Sequence, residues 1–271
     1  MDTTARDRLL DTLAEGVRSL TGSDRWRSHL ELQGRFHRYS FNNVLLIGAQ
    51  DPGATRVAGF VTWKGLGRSV RKGERAIWIL APMVGRTVHG EDGDERRPIY
   101  GFRPVPVFDV AQTDGEQLPE VCRNLDGDDR GARFDALRGR ADALGYTVEL
   151  AELPGGTNGD CTHGARRIRI ESRNRPAQQV KTLAHELAHA LLHECAADRA
   201  LAELEAESTA FVVCRSLGID SGGYSFGYVA TWAGGGPEAT AAITSSGAAI
   251  QRAAGVILDG LDAPAASSDA A

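Results

Sequence analysis

The stretch that decides how this chain is read is Leu183-Ala184-His185-Glu186-Leu187-Ala188-His189-Ala190-Leu191, an HExxH in an alanine- and leucine-rich frame. On an α-helix, residues four apart share a face, so both imidazoles can reach one metal ion. Glu186 lies on the neighbouring flank, where its carboxylate can take a proton from a water that the metal activates. Leu183, Leu187 and Leu191 form the opposite, packing face. With seven His and 16 Glu in 271 residues, chance alone produces the pattern in about 1% of such chains. The first expectation is a hydrolase holding one zinc ion, with another divalent metal possible.

Two histidines are not a catalytic site, because zinc needs a third protein ligand and an open position. His193 continues the series at i+8, about 12 Å along the helix axis from His185, and capping of the helix end is its simpler role. Glu203, Glu205 and Glu207 lie on the next helical stretch, which can fold back on the first. Glu207 has the best register: Ala206, Ala210, Phe211, Val213 and Cys214 surround it, and a buried carboxylate requires a partner. Glu203 can reach the same face from i−4, whereas Glu205 projects elsewhere. The expected ligands are therefore His185, His189 and Glu207, with Glu186 as general base.

Working outward, residues 176–195 read as the helix carrying the motif, with Pro176 in its first turn. Residues 199–217 form the next helix, stopped at Gly218, and a last helix follows Pro237. Upstream, a helix over 132–144, a strand over 146–150, a Gly-rich loop over 155–164 and a strand over 166–171 complete this half. In a zinc peptidase an edge strand beside the metal pairs with an extended substrate, a role the 166–171 strand suggests.

The first half has helical spacing over 6–20 and from about 24 to 36, and Ser40 caps a third helix. Strands follow over 56–60, 76–80 and 100–110, with a polar hairpin tip or loop over 85–97. This gives an α+β chain with four parts: an N-terminal α/β domain over 1–110, a linker over 111–131, a second domain over 132–259 and a disordered tail over 260–271.

Composition is that of a globular protein, with 42% hydrophobic and 25% charged residues. No apolar run approaches the ~20 residues that cross a bilayer, and no signal-type segment opens the chain. The cytoplasm is the expected location, with no membrane partner. Cys122, Cys161, Cys195 and Cys214 contain no CxxC pair and read as reduced thiols. The net charge of −5 hides a division: residues 1–80 hold 13 Lys/Arg against 8 Asp/Glu, and the rest hold 18 against 28. A basic first module points to an anionic partner, nucleic acid above all.

That module interleaves cations, amides and rings: Arg35, Arg38, Tyr39, Asn42, Asn43, Trp63, Lys64, Arg68, Arg71 and Lys72. Single-stranded nucleic acid is held by cations on phosphates and by bases stacked on aromatic faces, and these ten residues are the candidate DNA contacts.

Two resemblances follow from these residues. The 182–193 stretch and Glu205-Ala206-Glu207-Ser208-Thr209-Ala210-Phe211 resemble the two metal-binding helices of the ImmA/IrrE metallopeptidases, zincin-like in fold, where the third ligand is a glutamate followed four residues later by phenylalanine. Glu207 and Phe211 match that pattern. Tyr39-Ser40-Phe41-Asn42-Asn43, Gly59-Phe60-Val61-Thr62-Trp63, residues 67–74 and Val107-Phe108-Asp109-Val110-Ala111-Gln112-Thr113 resemble the single-stranded-DNA-binding domain of ArdC-type antirestriction proteins. Together they span about residues 20–232; beyond Trp232 no motif is assignable. The resemblance implies a protein that binds single-stranded DNA, protects incoming mobile-element DNA from restriction and has an unidentified protein or peptide substrate. Two alternatives share its residues: a DNA-binding protein whose metal is structural, and a regulatory protease that cleaves a repressor.

Overall fold

The computed structural model describes residues 3–20, 22–89, 95–117, 130–195, 198–219, 237–259 and 261. The chain divides into two compact units, each made of two segments: 1–19 with 42–119, and 20–41 with 120–271. The stretch 20–41, placed by sequence in the first module, thus groups with the second.

The first unit holds α1 (Thr3–Ser19), α3 (Phe41–Gln50, assigned here from Asn42 on) and the short α4 (Phe60–Gly65) around a three-stranded antiparallel sheet. Its strand order is β1 (Val57–Ala58), β6 (Ile99–Asp109), β3 (Ile77–Val84). Leu9 and Leu13 of α1 pack with Leu46 of α3 and Leu80 of β3. β3 is an edge strand, and α3 closes that edge with side chains. Asn43 donates to the Leu80 carbonyl at 3.0 Å and accepts from its N–H at 2.9 Å. One strand pair along, Gln50 does the same for Trp78, at 2.8 and 2.9 Å. Two amides seven residues apart on one helix face thus replace a neighbouring strand and leave few backbone groups open to edge pairing.

β2 (Arg68–Val70) pairs with β7 (Thr113–Gly115), so the start of the expected linker is part of the first unit. β4 (Val88–His89) and β5 (Glu95–Arg96) form a small ribbon where a hairpin tip or loop was expected. Asp109 explains the motif at the end of β6: its carboxylate accepts from the N–H groups of Thr55, Arg56 and Ala111, and Gln112 completes a capping box. The rest of the linker, residues 118–129, and the tail apart from residue 261 lie outside the described residues, as does Cys122; Cys161, Cys195 and Cys214 are free thiols.

The second unit has a three-stranded sheet in the order β8 (Thr147–Ala151), β10 (Arg167–Glu171), β9 (Gly159–Thr162), with β10 parallel to β8 and antiparallel to β9. β9 occupies what the sequence suggested was a glycine-rich loop. α5 (Arg130–Ala143) and α6 (Pro176–Leu192) lie against this sheet. α7 (Arg199–Ser216) packs on α6, α2 (Ser23–Arg35) and α8 (Pro237–Asp259). α6 buries Val180, Leu183, Ala184, Leu187 and Ala188, the i, i+3, i+4, i+7, i+8 stripe of a core-facing helix. Asp198 caps α7 by accepting from two N–H groups, and Gly218 supplies the left-handed turn at its end, at φ 68°. No helix among the described residues is long and apolar enough to cross a membrane.

α2 explains the grouping of residues 20–41. It buries Trp26, His29, Leu30, Gln33 and Gly34, the same spacing as α6, and burial of Trp26 and Leu30 stabilises the unit by about 1.5–3 kcal/mol each. The Trp26 indole donates to Ser208 at 3.1 Å, and Ser216 donates to the Gly34 carbonyl at 2.7 Å.

His29 sits in this stripe with both ring nitrogens lacking a partner among the described residues, against the Phe41 ring at 4.9 Å. Burial lowers its pKa from 6.5 to about 3. The folded state excludes the proton that the unfolded state binds below pH 6.5, so stability is complete above pH 6.5 and declines as pH falls toward 3. By pH 5 the loss is about 2 kcal/mol. Chemical denaturation of wild type and His29→Leu from pH 7 to pH 5 is expected to show a clearly smaller loss in the variant; parallel curves would refute the buried neutral imidazole.

Candidate metal centre

α6 and α7 cross so that the motif histidines meet glutamates of α7. The Nε2 atoms of His185 and His189 are 3.0 Å apart. One Glu203 oxygen lies 3.4 Å from the first and 3.8 Å from the second. These three residues form a candidate metal-binding group. Tetrahedral ligands on bonds of about 2.0–2.1 Å stand about 3.3–3.4 Å apart, so the triangle has the right size and a donor set zinc accepts.

Glu207, expected as third ligand, stands one turn further along α7 and meets the other side of the first ring. One of its oxygens is 3.3 Å from His185 Nδ1, and the other accepts from Lys181 Nζ at 2.9 Å. Glu203 and Glu207 share a helix face, which is why sequence left both in play. A carboxylate on the distal nitrogen of a ligand histidine orients the ring and fixes its tautomer. The second histidine has an analogous support: His193 Nδ1 is 2.9 Å from His189 Nδ1, and its Nε2 is 3.0 Å from Glu205. With Nε2–H of His193 donating to Glu205, its Nδ1 accepts from His189 Nδ1–H and leaves His189 Nε2 free as a ligand. His193 is therefore placed behind the pair, and Glu205 projects away from the donor triangle as its register implied.

Electrostatics follow this arrangement. Burial lowers the His189 pKa to about 3, aided by His185, His193 and His163, so its imidazole is neutral. Burial also opposes charge on His185, but the Glu207 hydrogen bond and the charges of Glu186, Glu207 and Glu203 outweigh it and raise its pKa. For Glu207 burial acts upward, yet the bonds from His185 and Lys181 prevail and its pKa falls. Burial pushes Glu186 up to about 7, with Asp160 and Glu203 adding to it against the pull of His185. The Cys161 thiol, pushed up to about 12 by burial and by Glu186 and Asp160, stays protonated and is no nucleophile.

A cavity of about 350 Å³ opens beside this group, with Asn158 and Gly159 on one wall and Gln178, Lys181, Thr182 and Glu186 on the other. The strand bounding it is β9, the sheet edge; β10, suggested by sequence for that role, is central. Gly159 permits the approach, since a Cβ there would lie 2.5 Å from Thr182 Cγ2 and 3.0 Å from Glu186 Oε1.

The candidate DNA contacts are dispersed. Arg35, Arg38 and Tyr39 belong to the second unit, where Arg38 faces Asp259 at 3.5 Å and Tyr39 packs edge-on against Phe36. In the first unit Asn43 is spent on Leu80, and Trp63 is 2% exposed with its indole donating to the Phe108 carbonyl. Arg68 clips β2 to β7 through Thr113, Gly115 and Glu116, and Arg71 bonds Glu74, Asp114 and the Ala111 carbonyl. Asn42, Lys64 and Lys72 are exposed. Sequence reasoning missed Lys181 as partner of Glu207, although its place four residues before His185 signals a shared face.

Fold and site together define a two-part protein with a metallopeptidase-like second domain. Residues 141–213 match the IrrE N-terminal-like domain of the M78 peptidases, and residues 4–113 match the N-terminal domain of anti-restriction factor ArdC. The chain is thus similar to anti-restriction factor ArdC in its first part and to IrrE-like peptidase domains in its second. Among known proteins it is 27% identical to the uncharacterized protein pXO2-81 of Bacillus anthracis, over 73% of this chain and 41% of that protein. The chain therefore spans about two fifths of that relative's length. It is also similar to two crystal structures of antirestriction protein ArdC from the R388 plasmid. The metal-free one is 24% identical, covering 81% of this chain and 84% of that one, with a TM-score of 0.49. The Mn(II)-bound one is 20% identical, covering 86% and 97%, with a TM-score of 0.47.

The His193–Glu205 support predicts that His193→Leu and Glu205→Gln lower divalent-metal affinity by about 10–100-fold while helix content is kept. Chelator competition measures this, and wild-type affinity in both variants would refute the support.

Proposed function

We propose that the second unit is a zinc-dependent peptidase centre and the first a single-stranded-DNA-binding module, acting together to protect incoming DNA from restriction. The observation that carries the reading is the donor triangle of His185, His189 and Glu203 with the buried Glu186 beside it. For the first unit, support comes from the match to the ArdC N-terminal domain and from the cations over its residues 42–80, six Lys/Arg against two acids.

His185 and His189 would hold the ion through Nε2 and Glu203 would complete the protein ligands, with Glu207 and His193 keeping the two rings in register. When bound, zinc or another divalent metal supplies a Lewis acid that acidifies water and polarises a peptide carbonyl. Glu186 takes the proton of the attacking water at its carboxylate and returns it to the amide nitrogen as the C–N bond breaks. The peptide lies extended along the free edge of β9, which offers backbone donors and acceptors beside Glu186.

Metal analysis after dialysis, with cleavage of an unfolded protein such as casein, tests this. Glu186→Gln is expected to retain zinc and lose at least about 100-fold in cleavage. Glu203→Ala is expected to lose zinc, and Glu207→Ala to keep it with weaker affinity. Cleavage by Glu186→Gln at the wild-type rate would remove the catalytic assignment. Zinc lost from Glu207→Ala and kept by Glu203→Ala would return the third ligand to Glu207.

A further inference from the structure

The first unit has a cavity of about 500 Å³ between the end of α3, the start of β3 and the turn at Gln112, within the range of small-ligand sites. One wall is the segment from Arg75 to Trp78, and it is clamped from both sides. Gln50 grips the Trp78 N–H and carbonyl at 2.9 and 2.8 Å. Gln112 donates to the Arg75 carbonyl at 2.8 Å and to Glu74 at 3.2 Å, and accepts from the Asp109 N–H at 2.8 Å.

This firmly held backbone buries Ile77 and presents Arg75 and Trp78 to water. Trp78 is 43% exposed, and Arg75 is exposed too. Neither side chain makes a hydrogen bond or ion pair among the described residues, in contrast to Trp63, Arg68 and Arg71. Burying an indole is among the largest single gains a core can make. Fixing the backbone under an indole and leaving its face in solvent is the arrangement of a contact surface.

The chemistry of that surface is specific. A flat π face and a guanidinium lining one cavity suit a base stacked on the ring with its phosphate on the cation. The two amides in the lining are already engaged: both N–H groups of Gln50 go to the Leu46 and Trp78 carbonyls, and both of Gln112 go to Glu74 and Arg75, while Asp51, also in the lining, accepts from the Gly53 N–H through one oxygen. We propose that Trp78 and Arg75 form a nucleotide subsite in this cavity, the indole stacking one base of single-stranded DNA and the guanidinium holding an adjoining phosphate, without base preference. The proposal rests on the single-stranded-DNA reading of the first unit and gives it a place.

The test is fluorescence anisotropy of the full chain with labelled dT20, over a range of salt concentrations. Trp78→Ala is expected to weaken binding about tenfold or more with an unchanged salt slope, and Trp78→Phe to restore most of it. Arg75→Ala is expected to weaken binding and reduce the slope of log K against log salt by about 0.7, the value for one phosphate on a single strand. Mixed-sequence DNA is expected to bind about as well as dT20. Circular dichroism confirms that each variant is folded. Wild-type affinity in folded Trp78→Ala and Arg75→Ala would overturn the subsite and leave DNA binding by the chain intact. Absence of dT20 binding by the wild type would overturn the DNA reading itself.

Discussion

A carboxylate carried on a buried helix must be met by positive charge or by hydrogen-bond donors, and the second unit is arranged around one such demand. α7 is buried on nearly every side from Ala206 to Cys214, yet Glu207 lies within that stretch. An unpartnered carboxylate there would cost several kcal/mol. Lys181 and His185 of α6 supply the partners, one to each oxygen. Meeting both fixes the register of α6 against α7, and that register carries Glu203, one turn away, over the Nε2 atoms of His185 and His189. The donor triangle is thus a consequence of satisfying Glu207. It also explains how a residue outside the triangle controls the ring inside it.

The same demand shows what could be read from sequence. The HExxH helix, its apolar stripe and the following glutamate helix were legible because each is a short-range pattern: Val180 to Ala188 repeats at helical spacing, and i, i+4 places two imidazoles on one face. Which of Glu203 and Glu207 lies nearer the two Nε2 atoms was not legible, since both lie on one face and the crossing of the two helices sets it. β9 was hidden for another reason. Gly155, Gly156, Gly159 and Gly164 give residues 155–164 the composition of a loop, but Gly159 is there because Thr182 and Glu186 leave no room for a Cβ. A glycine required by close packing looks, in sequence, like one required by a turn.

In the first unit the ambiguity lies in side chains that serve either solvent or their own backbone. Asn43, Arg68 and Arg71 looked like ligands for an anionic polymer because amides and guanidinium groups have that capacity. The fold spends them on the exposed edge of β3 and on the β2–β7 ribbon, where the partners are distant in sequence: Leu80, Thr113 and Asp114. Trp63 and Trp78 were indistinguishable as letters, yet one is core and the other is 43% exposed. What separates them is which face of the chain meets α1, α3 and β6, a property of tertiary packing.

α2 shows how far local pattern reaches. Its stripe at Trp26, His29, Leu30, Gln33 and Gly34 announces a helix with one buried face but says nothing about which surface it covers. The basic character of residues 25–80 suggested the first module, because charge is read along the chain while cores are assembled across it. The buried face decides otherwise: Trp26 needs Ser208 for its indole N–H, and Gly34 lets α7 come close enough for Ser216 to reach its carbonyl. Each unit is consequently built from two separated segments, and neither corresponds to a contiguous half of the chain. A piece beginning at residue 120 would keep every candidate metal ligand and still expose the α7 surface that α2 covers. The integrity of the candidate metal centre therefore depends on residues that precede most of the first unit in the chain.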